Sequence, residues 1–135
     1  MNVTIIDGQG GQLGAQLVRE IAARFENVEI TAIGTNAVAT ATMLKAGAKQ
    51  AATGENAVIV ACRKADVIVG PIGMVIADSL LGEITPSMAV AVAQANAVRL
   101  LIPVNKCDNV VVGVAKQATG ALIEDALVKL REILP

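Results

Sequence analysis

Val3-Thr4-Ile5-Ile6-Asp7-Gly8-Gln9-Gly10-Gly11-Gln12-Leu13-Gly14 sets an apolar, β-branched run against an acid and then a cluster of glycines. An inner strand of a parallel sheet needs such a run because both its faces are covered, and the chain leaving it turns tightly where side chains are absent. The stretch therefore predicts a buried strand, a turn over Gly8 to Gly11 and a helix beginning near Gln12. Gly8, Gly10 and Gly14 follow a G-x-G-x-x-x-G spacing, one residue longer than the dinucleotide fingerprint G-x-G-x-x-G, whose last glycine position is held here by Leu13. Glycines at these positions let backbone N–H groups reach a pyrophosphate, with the positive end of the helix behind them. Asp7, Gly8, Gln9, Gly10, Gly11 and Gly14 are accordingly candidate nucleotide-binding residues.

Leu13, Leu17, Ile21 and Phe25 recur at four-residue spacing and mark the first crossover helix. Val28 to Ile33 is a second strand, and the β-α-β length of about 30 residues suits a right-handed crossover to a parallel neighbour. Gly34-Thr35-Asn36 ends it, and all three join the candidate binding residues. An NAD-selective fold usually has an acid at this place to accept the ribose hydroxyls. Neutral polar groups stand here instead, leaving NADP, a mononucleotide or no nucleotide open. Ala37 to Ala46 reads as a helix closed by Gly47, and Lys49 to Ala52 as a third strand. Thr53-Gly54-Glu55-Asn56 is either a loop with a helix cap or a place where Glu55 meets a ligand. After a helix from Asn56 to Lys64, Val67, Ile68 and Val69 form a buried fourth strand entering Gly70-Pro71-Ile72-Gly73. Gly70 and Gly73 there permit close approach of a ligand or of a neighbouring loop.

Thr85-Pro86 starts a helix whose continuation, Ser87 to Ala97, carries no charge and predicts burial on more than one side. Leu100 to Val104 is a fifth strand and Val110 to Val114 a sixth. Asn105 to Asn109 is too short for a parallel crossover, so the sixth strand should pair as a hairpin. Thr119-Gly120 opens the last helix, with Leu122, Ile123, Ala126, Leu127, Leu130 and Ile133 on its apolar face and Asp125 paired with Lys129. The whole predicts one α/β domain over residues 1–135: three layers, Rossmann-like, with a mostly parallel sheet in the order 3-2-1-4-5 and a sixth hairpin strand. The turns after the parallel strands should converge in one cleft at the sheet's carboxyl edge.

Composition narrows the chemistry. Apolar residues are 54% of the 135 and aromatics 1%, so the core is built from Ala, Val, Ile, Leu and Met. Eleven basic against twelve acidic residues, without a cationic block, give no electrostatic footprint for nucleic acid or an anionic membrane. The longest apolar run, Ala65 to Leu81, is broken by Asp66, Gly70, Pro71, Gly73 and Asp78 and does not read as a membrane span. The absence of histidine removes Ser-His-Asp triads, Cys-His pairs and histidine metal sites, and no metal site is expected. Acid–base work would fall to Glu55, Glu83 or Lys106. Cys62 and Cys107 form no C-x-x-C and read as reduced thiols of a cytoplasmic protein. Asn105-Lys106-Cys107-Asp108 looks like the guanine-reading N-K-x-D of GTPases. No lysine or Ser/Thr follows Gly14 to hold phosphates and magnesium, so a tight turn is the favoured reading. Asn105 remains a binding candidate and Lys106 a cation for a bound phosphate or carboxylate.

Ile6-Asp7-Gly8-Gln9-Gly10-Gly11, Gly34-Thr35-Asn36, Thr53-Gly54-Glu55-Asn56, Gly70-Pro71-Ile72-Gly73, Gly82-Glu83-Ile84-Thr85-Pro86 and Pro103-Val104-Asn105-Lys106-Cys107 together resemble a domain-of-unknown-function family of small bacterial Rossmann-like proteins, over nearly the full length. The resemblance implies a cytoplasmic Rossmann-like fold and carries no activity. The residues themselves predict a small nucleotide-binding protein for NAD(P) or an adenine nucleotide, acting as a sensor or enzyme component. Two alternatives stand beside it: a metal-free isomerase, lyase or transferase for a small phosphorylated substrate, and a non-catalytic subunit or scaffold. A homo-oligomer, most simply a dimer, is expected, with Ser87 to Ala97 or Gly73 to Leu81 at its interface.

Overall fold

The computed structural model describes residues 1–104 and 108–135. Its centre is β1 (Asn2–Asp7), which pairs in parallel with β2 (Glu29–Gly34) along its whole length and with β4 (Val67–Pro71) through Val3–Val67, Thr4–Ile68 and Ile5–Val69. β3 (Gln50–Thr53) and β5 (Val98–Ile102) form the two edges, giving the order 3-2-1-4-5. The helices are α1 (Gln12–Arg24), α2 (Ala37–Lys45), α3 (Glu55–Lys64), α4 (Pro86–Gln94) and α5 (Thr119–Ile133), with a short 3-10 turn at Ile72–Val75.

The period-two geometry of β1 explains the layers. Val3 and Ile5 point to one side, where Leu17, Val18 and Ile21 of α1, Met43 of α2 and Leu127 and Leu130 of α5 complete a core. Ile6 joins the other core, built with Ile68 of β4, Val58 and Cys62 of α3 and Met88 and Val92 of α4. A strand covered on both faces has no solvent side to make polar, which is why its sequence lacks alternation.

Three expectations are corrected. Val110 to Val114 forms no sixth strand: Gly113 is left-handed at φ +84°, the Val114 amide bonds back to the Val111 carbonyl, and Val110 and Val112 are 85% and 92% exposed. That turn interrupts the extended run a ladder needs, so β5 stays an edge. The uncharged α4 is buried on one side, through Met88, Ala89 and Val92, while Val90 on the opposite side is 51% exposed. Alanines account for much of its apolarity without demanding a second packing surface. Lys129 pairs with Glu132 at 3.8 Å, one turn onward, rather than with Asp125. No described helix is long and apolar enough to cross a membrane.

Candidate functional site

At the carboxyl end of β1 the chain turns through two left-handed residues, Gln9 (φ 51°) and Gly11 (φ 75°), closed by a 2.9 Å bond from the Gly11 amide to the Gly8 carbonyl. Asp7 anchors this turn. Its carboxylate accepts from the Gly8 amide at 2.8 Å and from the Gly14 amide, in the first turn of α1, at 2.7 Å. Burial raises the Asp7 pKa, the two amide bonds oppose that rise and the Glu83 charge adds to it, leaving the group above the ordinary aspartate value. The structure thus uses Asp7 to fasten strand to helix.

The first turn of a helix leaves amide donors without intrahelical partners. Here Gly11 and Gly14 are satisfied as above, whereas the amides of Gly10, Gln12 and Leu13 have no acceptor among the described residues. A Cβ built on Gly10 would meet nothing within 4 Å. The other glycines among the candidate binding residues are hemmed in by protein. A Cβ on Gly8 would strike Thr35, Leu80 and Glu83, on Gly14 it would strike Asp7 and Met43, and on Gly34, Thr40. Gly70 lies against the Ile6 carbonyl and Gly73 against Ser79.

The loop after β2 is tied to this turn. Thr35 donates its amide to the Asp7 carbonyl at 3.0 Å, and Asn36 caps α2 by accepting from the Ala39 amide at 2.9 Å. The Asn36 side-chain amide donates to the Gln9 carbonyl at 3.0 Å and to Glu83 at 2.6 Å. Gly54, beyond β3, bonds back to the Gly34 carbonyl at 2.9 Å.

Glu83 arrives from far along the chain, on a strap over residues 76–85 between the 3-10 turn and α4. The strap closes on itself through bonds from the Asp78 amide to the Ile84 carbonyl at 2.7 Å and from the Ile84 amide to the Ser79 carbonyl at 3.2 Å. Leu80 and Ile84 bury their side chains beneath it. Asp78, Leu80 and Leu81 are left-handed, at φ 66°, 55° and 56°, a conformation that costs a side-chain-bearing residue about 1–2 kcal/mol. This shape delivers Glu83 Oε1 to three donors: the Gln9 amide at 2.9 Å, Thr35 Oγ1 at 2.7 Å and Asn36 Nδ2 at 2.6 Å. Oε2 accepts no hydrogen bond among the described residues. Partial burial raises the Glu83 pKa, but the bonds from Gln9, Thr35 and Asn36 outweigh it and hold the group below the ordinary glutamate value.

Gly8, Gln9, Thr35, Asn36 and Glu83 are therefore brought together, with Asp7 beneath them. Glu55 stands apart at the start of α3, where it accepts from Thr85 Oγ1 at 2.8 Å and links α3 to the cap of α4. Asn105, Lys106 and Cys107 lie outside the described residues. Cys62 is buried in α3, and burial pushes its thiol up to about 11. No group of three or more Cys, Asp or Glu side chains is placed to hold a metal ion among the described residues. What sequence reasoning missed is the partnership of Glu83 with the end of β2. The available signal was the adjacent donors Thr35 and Asn36, which call for an acceptor that the local sequence lacks.

Among solved structures, the chain is similar to the dodecameric FMN-dependent Ubix-like decarboxylase from Escherichia coli O157:H7, at 16% identity, covering 98% of this chain and 76% of that one, with a TM-score of 0.49. No curated protein matches it significantly. A family model described as "Domain of unknown function (DUF3842)" matches residues 2–135, and the chain belongs to that family.

Proposed function

We propose that this chain is a single nucleotide-binding domain that takes NAD(P) or an adenine nucleotide at the carboxyl edge of β1 and β2 and serves as a sensor or as a component of an enzyme. The observation that supports the reading is the open amide set of Gly10, Gln12 and Leu13 at the positive end of α1, with Gly10 presenting no side chain to cover it. Phosphate oxygens are the acceptors such a set suits. Thermal-shift measurements with NAD, NADP, ATP and AMP test it. A ligand at about a hundred times its dissociation constant adds about 2.7 kcal/mol, which is several degrees for a chain of this length. Gly10→Val should abolish the shift while leaving the unliganded melting temperature nearly unchanged, because its side chain enters open space. Equal shifts for wild type and variant would refute the site.

We further propose that the protein assembles with copies of itself, as a dimer in the simplest case, through α4 and the strap before it. The outer side of α4, with Ser87, Val90, Ala93 and Gln94, has no charge, and Leu81 on the strap is 95% exposed. Covering such surface favours association. Sedimentation at micromolar concentration should give at least twice the monomer mass, and a monomer there overturns the proposal.

A further inference from the structure

The site carries a carboxylate at the carboxyl end of β2, where Gly34-Thr35-Asn36 supplies none. Glu83 is held at once by the glycine turn after β1 and by Thr35 and Asn36 after β2. If a phosphate occupies the open amides of α1, the sugar attached to it extends toward the end of β2, where a dinucleotide fold places its ribose-binding acid. Resting on the nucleotide reading above, we propose that Glu83 Oε2 accepts the ribose hydroxyls of the bound nucleotide. The site then takes ligands with a free 2′-hydroxyl, such as NAD, AMP or ATP, and rejects the 2′-phosphate of NADP.

The division of labour between the two carboxylate oxygens carries this assignment. All three protein donors converge on Oε1, so that oxygen is used up in fixing the side chain. Oε2 keeps its acceptor capacity and has no protein donor among the described residues. The group forms no ion pair among the described residues, and Asp7 adds negative charge nearby. Among the described residues a 2′-phosphate would therefore meet repulsion without a compensating cation, whereas a diol supplies neutral donors. The closed strap fixes the carboxylate before any ligand arrives, so binding need not order it. The ionised state favoured by its three bonds is also the acceptor-only state that a diol requires.

Glu83→Gln is the informative variant. Its carbonyl oxygen can keep the bonds from Gln9, Thr35 and Asn36, while an amide NH2 replaces Oε2 and removes the charge. Binding of NAD, NADP, ATP and 2′-deoxy-ATP is measured by titration calorimetry to wild type, Glu83→Gln and Gly10→Val. Wild type is expected to bind ATP at least tenfold more tightly than 2′-deoxy-ATP, and NAD at least tenfold more tightly than NADP. Glu83→Gln should shrink both ratios toward one, with 2′-deoxy-ATP affinity little changed. Ratios that are already near one in wild type, or that survive Glu83→Gln, overturn the ribose assignment. If Gly10→Val still abolishes binding in that case, the nucleotide reading stands without it. A wild type that binds none of the four overturns both.

Discussion

Valine in place of Gly70 is expected to lower the melting temperature by about 10–15 °C, even though valine is among the residues best suited to an inner parallel strand. Strand propensity alone would favour the substitution, on a scale spanning about 1 kcal/mol. Packing opposes it: a Cβ at this position meets the Ile6 carbonyl oxygen and the Met74 sulfur. The sulfur can move. The carbonyl belongs to β1, which is paired on both sides, so it moves only if the centre of the sheet moves. Overpacking commonly costs about 1–3 kcal/mol and reaches the upper end or beyond when backbone must shift. About 3 kcal/mol is a large share of the usual 5–15 kcal/mol, and each kcal/mol is worth roughly 3–5 °C at this length. Thermal unfolding followed by circular dichroism checks this, and a melting temperature within about 3 °C of wild type would show that β4 has room to yield.

Leu17→Ala should cost about 3–4 kcal/mol. Leu17 is fully buried on α1, in the core that joins α1 and α5 to Val3 and Ile5 of β1. Truncation loses the transfer free energy of the removed methyl groups and leaves a cavity, a combination that costs about 2–5 kcal/mol for buried leucine. Val128→Ala on α5 is the control, since Val128 is 54% exposed and its truncation should change stability by no more than about 0.5 kcal/mol. Urea unfolding of both variants would expose an error in the assigned core if the two costs came out alike.

The parallel sheet was legible because its signals are local. An unbroken apolar run for β1, a glycine turn and a helix-period stripe at Leu13, Leu17 and Ile21 each fit within a few residues, and the order 3-2-1-4-5 follows from repeating that unit on both sides of β1. Val110 to Val114 imitates a strand by composition, but a single left-handed glycine breaks it, and nothing in a valine-rich run announces that. The one-sided burial of α4 was hidden because alanine is apolar yet asks for little cover. Of the candidate site, the glycine turn and the end of β2 could be read directly. The role of Glu83 could not, because Glu83 lies 48 residues beyond Thr35 and is brought to it by leucines in a backbone conformation that leucine rarely adopts.

The missing sixth strand leaves β5 with an outer row of amides and carbonyls that no described strand pairs, beside Val98 and Leu101, which are 46% and 38% exposed. Such an edge is a template on which another extended chain can add, the step by which partly unfolded molecules grow into fibrillar aggregates. Its defence is brevity and one cation. The strand is five residues long, and Arg99, its second residue, bonds the Ala95 and Ala97 carbonyls at 2.8 and 3.2 Å. The gatekeeping charge is therefore held by the chain just ahead of the strand, so loosening the α4–β5 connection would release the guard from an edge that is already open.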